Sequence, residues 1–329
     1  MKIAIIGANG MLSVALTKFY YGRPDTTVVV YGLDEPQGYS CDSFTQVNLV
    51  TQSLDYEEVA KADVVIYASG AGVQAAQNTP SLLMYQLNVS APITITLGLK
   101  QAGFKGTYVS FGSYMEIGVN DVEGKAFNED DVVCSPLPVT NDYALSKRLY
   151  GRYMRDFKAD FTYYHFILPN LFSEDDLKPG TRLVPYTLQY LQDYCAGKNP
   201  AVPSFSAGTQ TRQFITLEEM IKTVSSALNK CIPSGLYCVG GGEFISIRQL
   251  IERLFAIYHV PCKSEYFGKE VRRDGDIKSL RLDATRLQSE IKELPDMKIE
   301  DIFVFNSKRG GVKIFRYYYA PSYNYRRAA

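Results

Sequence analysis

Tyr143 and Lys147 are the two residues whose types and spacing point most directly to chemistry. Side chains four residues apart lie one above the other on the same face of a helix. A free tyrosine, with a pKa near ~10, is a poor acid–base catalyst at neutral pH. A neighbouring ammonium group favours the phenolate, so such a pair can exchange a proton with a hydroxyl or a ketone while a hydride moves elsewhere. The same spacing also occurs on ordinary surface helices, so the hypothesis needs support from the rest of the chain.

That support begins at the start of the chain, where an apolar run at 2–6 leads into a glycine-rich segment and then a helical pattern. A strand, a glycine-rich turn and a helix in this order are typical of dinucleotide binding. Gly7 permits the tight turn, and Gly10 lets the main chain approach a pyrophosphate at the start of the helix. Ser13 replaces the usual third glycine and is still small enough for close packing. An ordinary βα turn is the alternative, and the preceding strand favours a cofactor site.

The next apolar run, 27–31, is followed by Gly32 and Asp34. An acidic residue after this strand commonly bonds the adenosine ribose hydroxyls. Asp34 is the candidate, although Gly32 stands closer to the usual position. From Tyr31 to Leu54 there is no Lys or Arg to pair with a 2′-phosphate. NAD is therefore the predicted cofactor, and NADP is the alternative.

Bulk properties narrow the function classes. The 329 residues carry a formal net charge of +0, so no basic excess indicates a nucleic-acid partner. No apolar run approaches the ~20 residues of a membrane span, and the N-terminus opens directly into a strand without a signal-peptide pattern. The six cysteines form no Cys-x-x-Cys pair, which favours free thiols in a reducing cytoplasm. The two histidines, His165 and His259, lie in apolar or aromatic segments, so packing roles are expected and no metal site is predicted.

Strands and helices alternate through the first half of the chain. Strands are predicted at 62–67, 106–111 and 161–167, and helices at 81–102 and from Tyr143 to about 157. Repeated β–α units predict an α/β fold with a doubly wound parallel sheet. Ligands bind such sheets beyond the carboxyl ends of the strands.

After residue 168 the regularity weakens, with Pro-, Gly- and Ser-rich loops at 178–180 and 200–208. A helix at 217–229, a strand at 236–239 and a helix at 247–258 are still predicted. We predict a dinucleotide-binding domain at 1–168 with a return segment near 213–240. A smaller, partly discontinuous substrate region then comprises 169–212 and 241–329. Its tail, 303–329, has six Lys or Arg, five Tyr and no acid, and is interpreted as solvated or packed at an edge.

Taken in order, these motifs resemble the extended short-chain dehydrogenase/reductase family, specifically its NAD-dependent epimerase/dehydratase group, which acts on nucleotide sugars. The resemblance covers most of residues 1–290 and rests on the segments 7–13, 67–70, 88–89, 110–113 with Gly118, 143–147, 169–172, 212–215 and 272–276. It implies a Rossmann fold and a homodimer formed through the helices near 81–102 and 143–157.

The resemblance also assigns roles to individual residues. It implies that Ser113 bonds the reacting sugar oxygen and shares the proton with Tyr143, while Lys147 also bonds the nicotinamide ribose. Tyr143 is an implied cofactor contact as well as a catalytic residue. The other implied cofactor contacts, besides Lys147, are Gly7, Asn9, Gly10, Met11, Asp34, Ala68, Ser69, Gly70 and Asn88.

For the substrate, the resemblance implies that Arg212 and Arg273 clamp the pyrophosphate. Asp276 would bond the nucleotide ribose, and Asn170 would lie near the diphosphate. A guanidinium fork suits two-point bonds to phosphate. Each of these residues could alternatively be a surface charge or a loop cap.

Departures from the family pattern narrow the reaction. Family dehydratases carry Asp-Glu directly after the catalytic Ser or Thr, where this chain has Tyr114 and Met115. Family decarboxylases have a glutamate at the position of Met115. Family members that epimerise beside a ketone have a Cys close to the serine, and this chain has none there. Glu116 is nearby, but it does not stand at the position of the family's acids. Hydride transfer at one sugar carbon, C4, remains, by a 4-epimerase or a 4-ketoreductase. The competing hypothesis is a non-catalytic dinucleotide sensor or scaffold on the same fold.

Overall fold

The computed structural model describes residues 1–72, 78–172, 183–272 and 277–292, and the main chain of strands at 303–306 and 311–314. Its α-helices are α1 (Met11–Tyr20), α2 (Tyr56–Val59), α3 (Ser81–Tyr85), α4 (Ala91–Gln101), α5 (Glu129–Val133), α6 (Asp142–Asp156), α7 (Leu183–Cys195), α8 (Leu217–Lys230), α9 (Ile247–Ile257) and α10 (Thr285–Glu290). Its strands are β1 (Lys2–Ile6), β2 (Thr27–Gly32), β3 (Ser43–Gln46), β4 (Val64–Tyr67), β5 (Thr107–Ser113), β6 (Thr162–Leu168), β7 (Asn170–Phe172), β8 (Thr211–Thr216), β9 (Gly235–Cys238), β10 (Glu243–Ser246), β11 (Ser279–Leu280), β12 (Phe303–Asn306) and β13 (Gly311–Ile314). A π-helical turn, Gln86–Ser90, joins α3 to α4, and 3₁₀ turns occupy Tyr114–Ile117 and Ser264–Tyr266.

Seven parallel strands form the main sheet in the order β3-β2-β1-β4-β5-β6-β9. Successive side chains of a strand face opposite sides, so Ile3 and Ile5 join one apolar cluster while Ala4 and Ile6 join the other. Helices α1 and α8 cover the first face, and α4 and α6 cover the second. The predicted doubly wound α/β fold is confirmed.

A second, smaller sheet is organised around β8, which pairs antiparallel with β10 and parallel with β7 and β11. Next to it, Leu188 and Leu191 of α7 pack with Leu250 and Leu254 of α9 in a third apolar cluster. The sequence analysis predicted neither α7 nor the short strand β3. The proposed division of the chain into two regions stays a prediction.

The helical stretch Ser81–Gln101 contradicts the statement from the sequence that no apolar run approaches the length of a membrane span. It is long and apolar enough to cross a membrane by length and composition, with 39% of its apolar window buried inside the fold. Ile95 and Leu99 of this stretch lie in the core against the sheet. A core helix meets the same length and composition criteria, so they give only weak evidence for a membrane span.

Candidate active site

The glycine turn after β1 packs directly on the end of β4. Gly7 has a φ of +117°, and a Cβ there would lie 2.9 Å from the main-chain nitrogen of Ser69. Gly7 N donates to Tyr31 O at 2.7 Å, which ties the turn to β2 as well. Gly10 then begins α1, and no side chain of the described residues caps this helix start. The turn therefore requires glycine, and it places the start of α1 where a bound anion could approach it.

Asn9 connects this turn to the loop after β2. Its Nδ2 donates to Glu35 O at 3.0 Å, and its Oδ1 accepts from Gln37 N at 3.0 Å. A Cβ on Gly32 would lie 2.6 Å from the Cβ of Ala8, so close packing of the turn explains the glycine there. Asp34 follows two residues beyond the strand and is exposed.

Asn88 fixes the segment beyond β4 from within the π-helical turn. It is 1% exposed. Its Oδ1 accepts from Ala71 N at 3.0 Å, and its Nδ2 donates to Ala71 O at 2.9 Å and to Ser146 Oγ at 3.0 Å. Asn88 thereby ties the segment containing Ala68, Ser69 and Gly70 to helix α6.

The three predicted catalytic residues come together at the carboxyl end of β5. Ser113 is the last residue of that strand, and its side chain lies near enough to Tyr143, in the first turn of α6, to act on the pKa of the phenol. One turn further along α6, Lys147 Nζ donates to Phe111 O at 3.0 Å and lies 3.8 Å from the Cβ position of Gly70. Lys147 therefore bridges the ends of β5 and β4.

The pKa of Tyr143 is not lowered in the way that its spacing from Lys147 predicts. Burial raises the pKa of Tyr143 to about 12, the hydrogen bond from Ser113 opposes this shift, and the Glu116 charge adds to it. Burial lowers the pKa of Lys147 to about 8, against the effect of Glu116. The expected lowering of the Tyr143 pKa by Lys147 is wrong for this state, because desolvation outweighs the other interactions and the ammonium bonds a main-chain oxygen instead.

Sequence reasoning gave Glu116 no role and missed Arg148. The 3₁₀ turn after Ser113 brings Glu116 back so that Oε1 accepts from Ser113 N at 2.6 Å. Met115 N also donates to Ser113 Oγ at 3.3 Å, which completes a capping box. The Ser-x-x-Glu pattern of such a box is readable from sequence, whereas nothing in the sequence marked Arg148, which is buried and bonds the same turn.

The structure describes two of the four predicted substrate residues, Arg212 and Asn170. Arg212, on β8, is buried and donates to Thr211 O at 2.7 Å and to Ile277 O at 2.9 Å. Asn170 begins β7 and is partly exposed. Arg273 and Asp276 lie outside the described residues.

A family model described as "NAD dependent epimerase/dehydratase family" matches residues 3–240. The chain belongs to the NAD-dependent epimerase/dehydratase family. This confirms the resemblance drawn from the motifs and, at the level of the family, NAD as the cofactor. No curated protein matches the chain by sequence.

Several solved structures share the fold of this chain. DesIV, a dTDP-glucose 4,6-dehydratase from Streptomyces venezuelae with NAD and TYD bound, has a TM-score of 0.70 and 17% identity, covering 92% of this chain and 94% of that chain. WbmG from Bordetella bronchiseptica with NAD and UDP has a TM-score of 0.69 and 16% identity, covering 91% of each chain. A UDP-glucose 4-epimerase from Thermus thermophilus with NAD has a TM-score of 0.68 and 16% identity, covering 89% of this chain and 94% of that chain. Both dehydratases and epimerases occur among these structures, so the fold does not select the reaction.

Proposed function

We propose that this protein is an NAD-dependent enzyme that transfers hydride at C4 of a nucleoside-diphosphate sugar, as a 4-epimerase or a 4-ketoreductase. The observation that carries the proposal is the meeting of Ser113 and Tyr143 at the carboxyl end of β5, where the serine side chain acts to lower the pKa of Tyr143, with Lys147 one helical turn away. A hydroxyl pair in this position can hold one sugar oxygen and exchange its proton.

The described residues fit the cofactor. The pyrophosphate would lie on the uncapped start of α1, against Gly7, Gly10 and Met11. Asn9 shapes the loop that carries Asp34, the proposed partner of the adenosine ribose. The DesIV, WbmG and UDP-glucose 4-epimerase structures contain NAD, which supports the same cofactor here.

NAD supplies the chemistry of hydride uptake and return at its nicotinamide ring. Ser113 and Tyr143 hold the oxygen on C4, and Tyr143 takes its proton in oxidation and returns it in reduction. Lys147 would orient the nicotinamide ribose, and the Ser113 side chain acts to lower the pKa of Tyr143. The return of hydride to the opposite sugar face would make the enzyme an epimerase, whereas a single reduction would make it a ketoreductase.

The residues after Ser113 favour this chemistry over dehydration. The Tyr114 ring is buried in the core beneath α6 and carries no carboxyl group. Met115 supplies no proton donor or acceptor for eliminating water. The carboxyl group of Glu116, three residues after Ser113, is fully buried and accepts a hydrogen bond from Ser113 N, so it is not exposed to a bound sugar.

For the substrate we propose Arg212, Arg273, Asp276 and Asn170 as contacts to the nucleoside diphosphate. The bond from Arg212 to Ile277 O joins β8 to the chain directly after Asp276, which supports a shared role. WbmG was crystallised with UDP and DesIV with TYD.

We also propose a homodimer in the cytoplasm. Leu97 on α4 and Leu149 on α6 are 45% and 43% exposed, and an apolar pair on adjacent helices suits contact with a second copy. All six cysteines are free thiols, which agrees with a reducing compartment.

The first test is mass spectrometry and absorbance of small molecules released from the purified, denatured protein. Stoichiometric NAD or NADH favours the epimerase, and reversible binding by an empty protein favours the ketoreductase. A protein that binds neither would contradict the proposed enzyme and favour the competing hypothesis of a scaffold on the same fold.

The second test is turnover of UDP- and dTDP-sugars, with and without added NADH. Tyr143→Phe should lower kcat by about 10²–10⁴-fold, with a smaller effect on cofactor affinity than on kcat. Tyr153→Phe, on the same helix but bonded to Thr96 Oγ1, is the matched control and should retain activity. Unchanged turnover in Tyr143→Phe would rule out the proposed acid–base role.

A further inference from the structure

Glu116 is a buried carboxyl group that the proposed reaction does not use. Its side chain is 0% exposed, and Oε1 accepts from Ser113 N at 2.6 Å. Its Oε2 has no hydrogen-bond partner among the residues that the structure describes. Burial of a carboxyl group with one oxygen unbonded is costly, so its place beneath the catalytic serine calls for an explanation.

Two glycines make room for this carboxyl group. A Cβ on Gly112 would lie 2.6 Å from Oε1, and a Cβ on Gly151 would lie 2.7 Å from Oε2. Gly151 lies inside α6, where glycine costs about 1 kcal/mol relative to alanine. The chain therefore carries a glycine on each side of Glu116, so the acid is built into the packing of β5 against α6.

The charged and titratable groups around Glu116 come from three elements. Lys147 and Arg148 face it from α6, where Tyr143 also feels its charge. His165 on β6 presents Nε2, which would lie 2.7 Å from the same Gly112 Cβ and has no described hydrogen-bond partner. On β9, the Cys238 thiol feels the Glu116 charge, while α5 contributes the apolar Val133.

We propose that Glu116 is a positioning residue of this site, which holds the main chain of Ser113 and whose charge tunes proton exchange by Tyr143 and Lys147. The statement about proton exchange rests on the function proposed above. The position of Ser113 Oγ follows from its main chain, because the capping box fixes both ends of the turn. The charge acts at short range in a buried pocket, where screening by water is weak.

The negative charge of Glu116 shifts the pKa values of Tyr143 and Lys147 in the same direction. Burial raises the pKa of Glu116 to about 7, so the carboxyl group changes charge near neutrality. When ionised, it raises the pKa of Tyr143 and of Lys147. Removal of the charge should therefore lower both pKa values.

Glu116→Gln separates charge from hydrogen bonding, because the amide oxygen can still accept from Ser113 N. The first readout needs no substrate: the pH dependence of Lys147 modification by reductive methylation, followed by peptide mass spectrometry. The half-point is the pH at which Lys147 is modified at half its maximal rate. In Glu116→Gln this half-point should move to lower pH by about half a unit or more. An unchanged half-point would overturn the electrostatic part of the proposal, whether or not the protein turns over a sugar.

The second readout is the pH profile of turnover in the oxidative direction, which needs the Tyr143 phenolate. Its rising limb should move to lower pH in Glu116→Gln, with kcat at the new optimum close to that of wild type. Glu116→Met removes the acceptor for Ser113 N and should lower kcat about tenfold or more with little change in KM. Wild-type kcat in Glu116→Met would overturn the positioning role, and if that variant does not fold, Glu116→Gln still tests the charge.

Glu219 gives a matched control. It forms the same capping box with Thr216, accepting from Thr216 N at 2.6 Å at the start of α8. Glu219→Gln should leave the Lys147 half-point and the turnover profile unchanged, and an equal shift there would overturn the assignment to Glu116. If the Lys147 half-point moves while wild type converts no nucleotide sugar, the proposed function fails and the electrostatic coupling stands.

Discussion

The guanidinium group of Arg148 donates from Nε to the main-chain oxygen of Glu116 at 2.6 Å. Its Nη1 donates to Leu137 O at 2.7 Å and its Nη2 to Ile117 O at 3.1 Å. One side chain of α6 thus bonds three carbonyls around the turn that follows Ser113. This turn is held by helix α6, which also carries Tyr143 and Lys147.

Arg148→Met should therefore lower the free energy of unfolding by about 3 kcal/mol, because buried carbonyls would lose charge-assisted hydrogen bonds. Urea titration measures this change. Arg152→Met, one turn further along α6 at an exposed position, should change stability by less than about 0.5 kcal/mol. Similar losses in the two variants would contradict the role of Arg148.

A pair of glycine variants tests the turn after β1. Gly7 and Gly22 both have positive φ, +117° and +76°, but only Gly7 would place a Cβ against a main-chain nitrogen. Gly7→Ala should weaken NAD binding about tenfold or more, because the turn must move away from β4. Gly22→Ala has open space around its Cβ and should leave NAD affinity, measured by calorimetry, unchanged. Equal affinities in both variants would argue against this turn as the cofactor site.

The sequence predicted the local parts of the site better than its long-range contacts. The βα turn and the Tyr143 helix follow from apolar periodicity and glycine placement within short segments, and the structure has both. Glu116 was set aside because it does not stand at the positions of the family's catalytic acids after the serine. The sharp turn after Ser113 instead brings it back to the main chain of that serine. The contacts of Arg148 join residues distant in sequence, and no local pattern predicts such contacts.

The secondary-structure errors have similar causes. Helix α7 was missed because it begins in a region of loops and carries Pro185 in its first turn. Strand β3 has few buried side chains, so its apolar pattern is weak. Tertiary packing, rather than local preference, stabilises these elements.

Buried His165 should give the protein a distinct pH dependence of stability. Burial, with the Lys147 charge adding, lowers its pKa to about 3, so the unfolded chain binds a proton near pH 6 that the folded chain does not. Acid therefore favours unfolding as pH falls below the unfolded pKa of ~6.5. The destabilisation caused by His165→Asn should be smaller at pH 5.5 than at pH 7.5 by about 1.4 kcal/mol.

Urea titrations of wild type and variant at the two pH values measure this difference. The same ΔΔG for His165→Asn at both pH values would mean that the folded protein accepts a proton at His165.

The proposed homodimer predicts a change of assembly in Leu149→Glu. A carboxylate at the centre of an apolar contact between α6 helices would be desolvated on association. Light scattering after size exclusion should give a mass twice 36.9 kDa for wild type and the monomer mass for the variant. Val202→Glu, at an exposed residue of the 200–208 loop, should remain dimeric. A monomeric wild type would rule out the dimer.

The π-helical turn at Gln86–Ser90 makes the length of this helix as important as its composition. A π turn contains one residue more than an α turn, and here that wider turn carries Asn88 into contact with Ala71 and Ser146. Deletion of one residue would convert the stretch into continuous α-helix and remove the wider turn that places Asn88 against Ala71 and Ser146. Homologues are therefore expected to tolerate many substitutions on the outer side of this helix but few insertions or deletions within it.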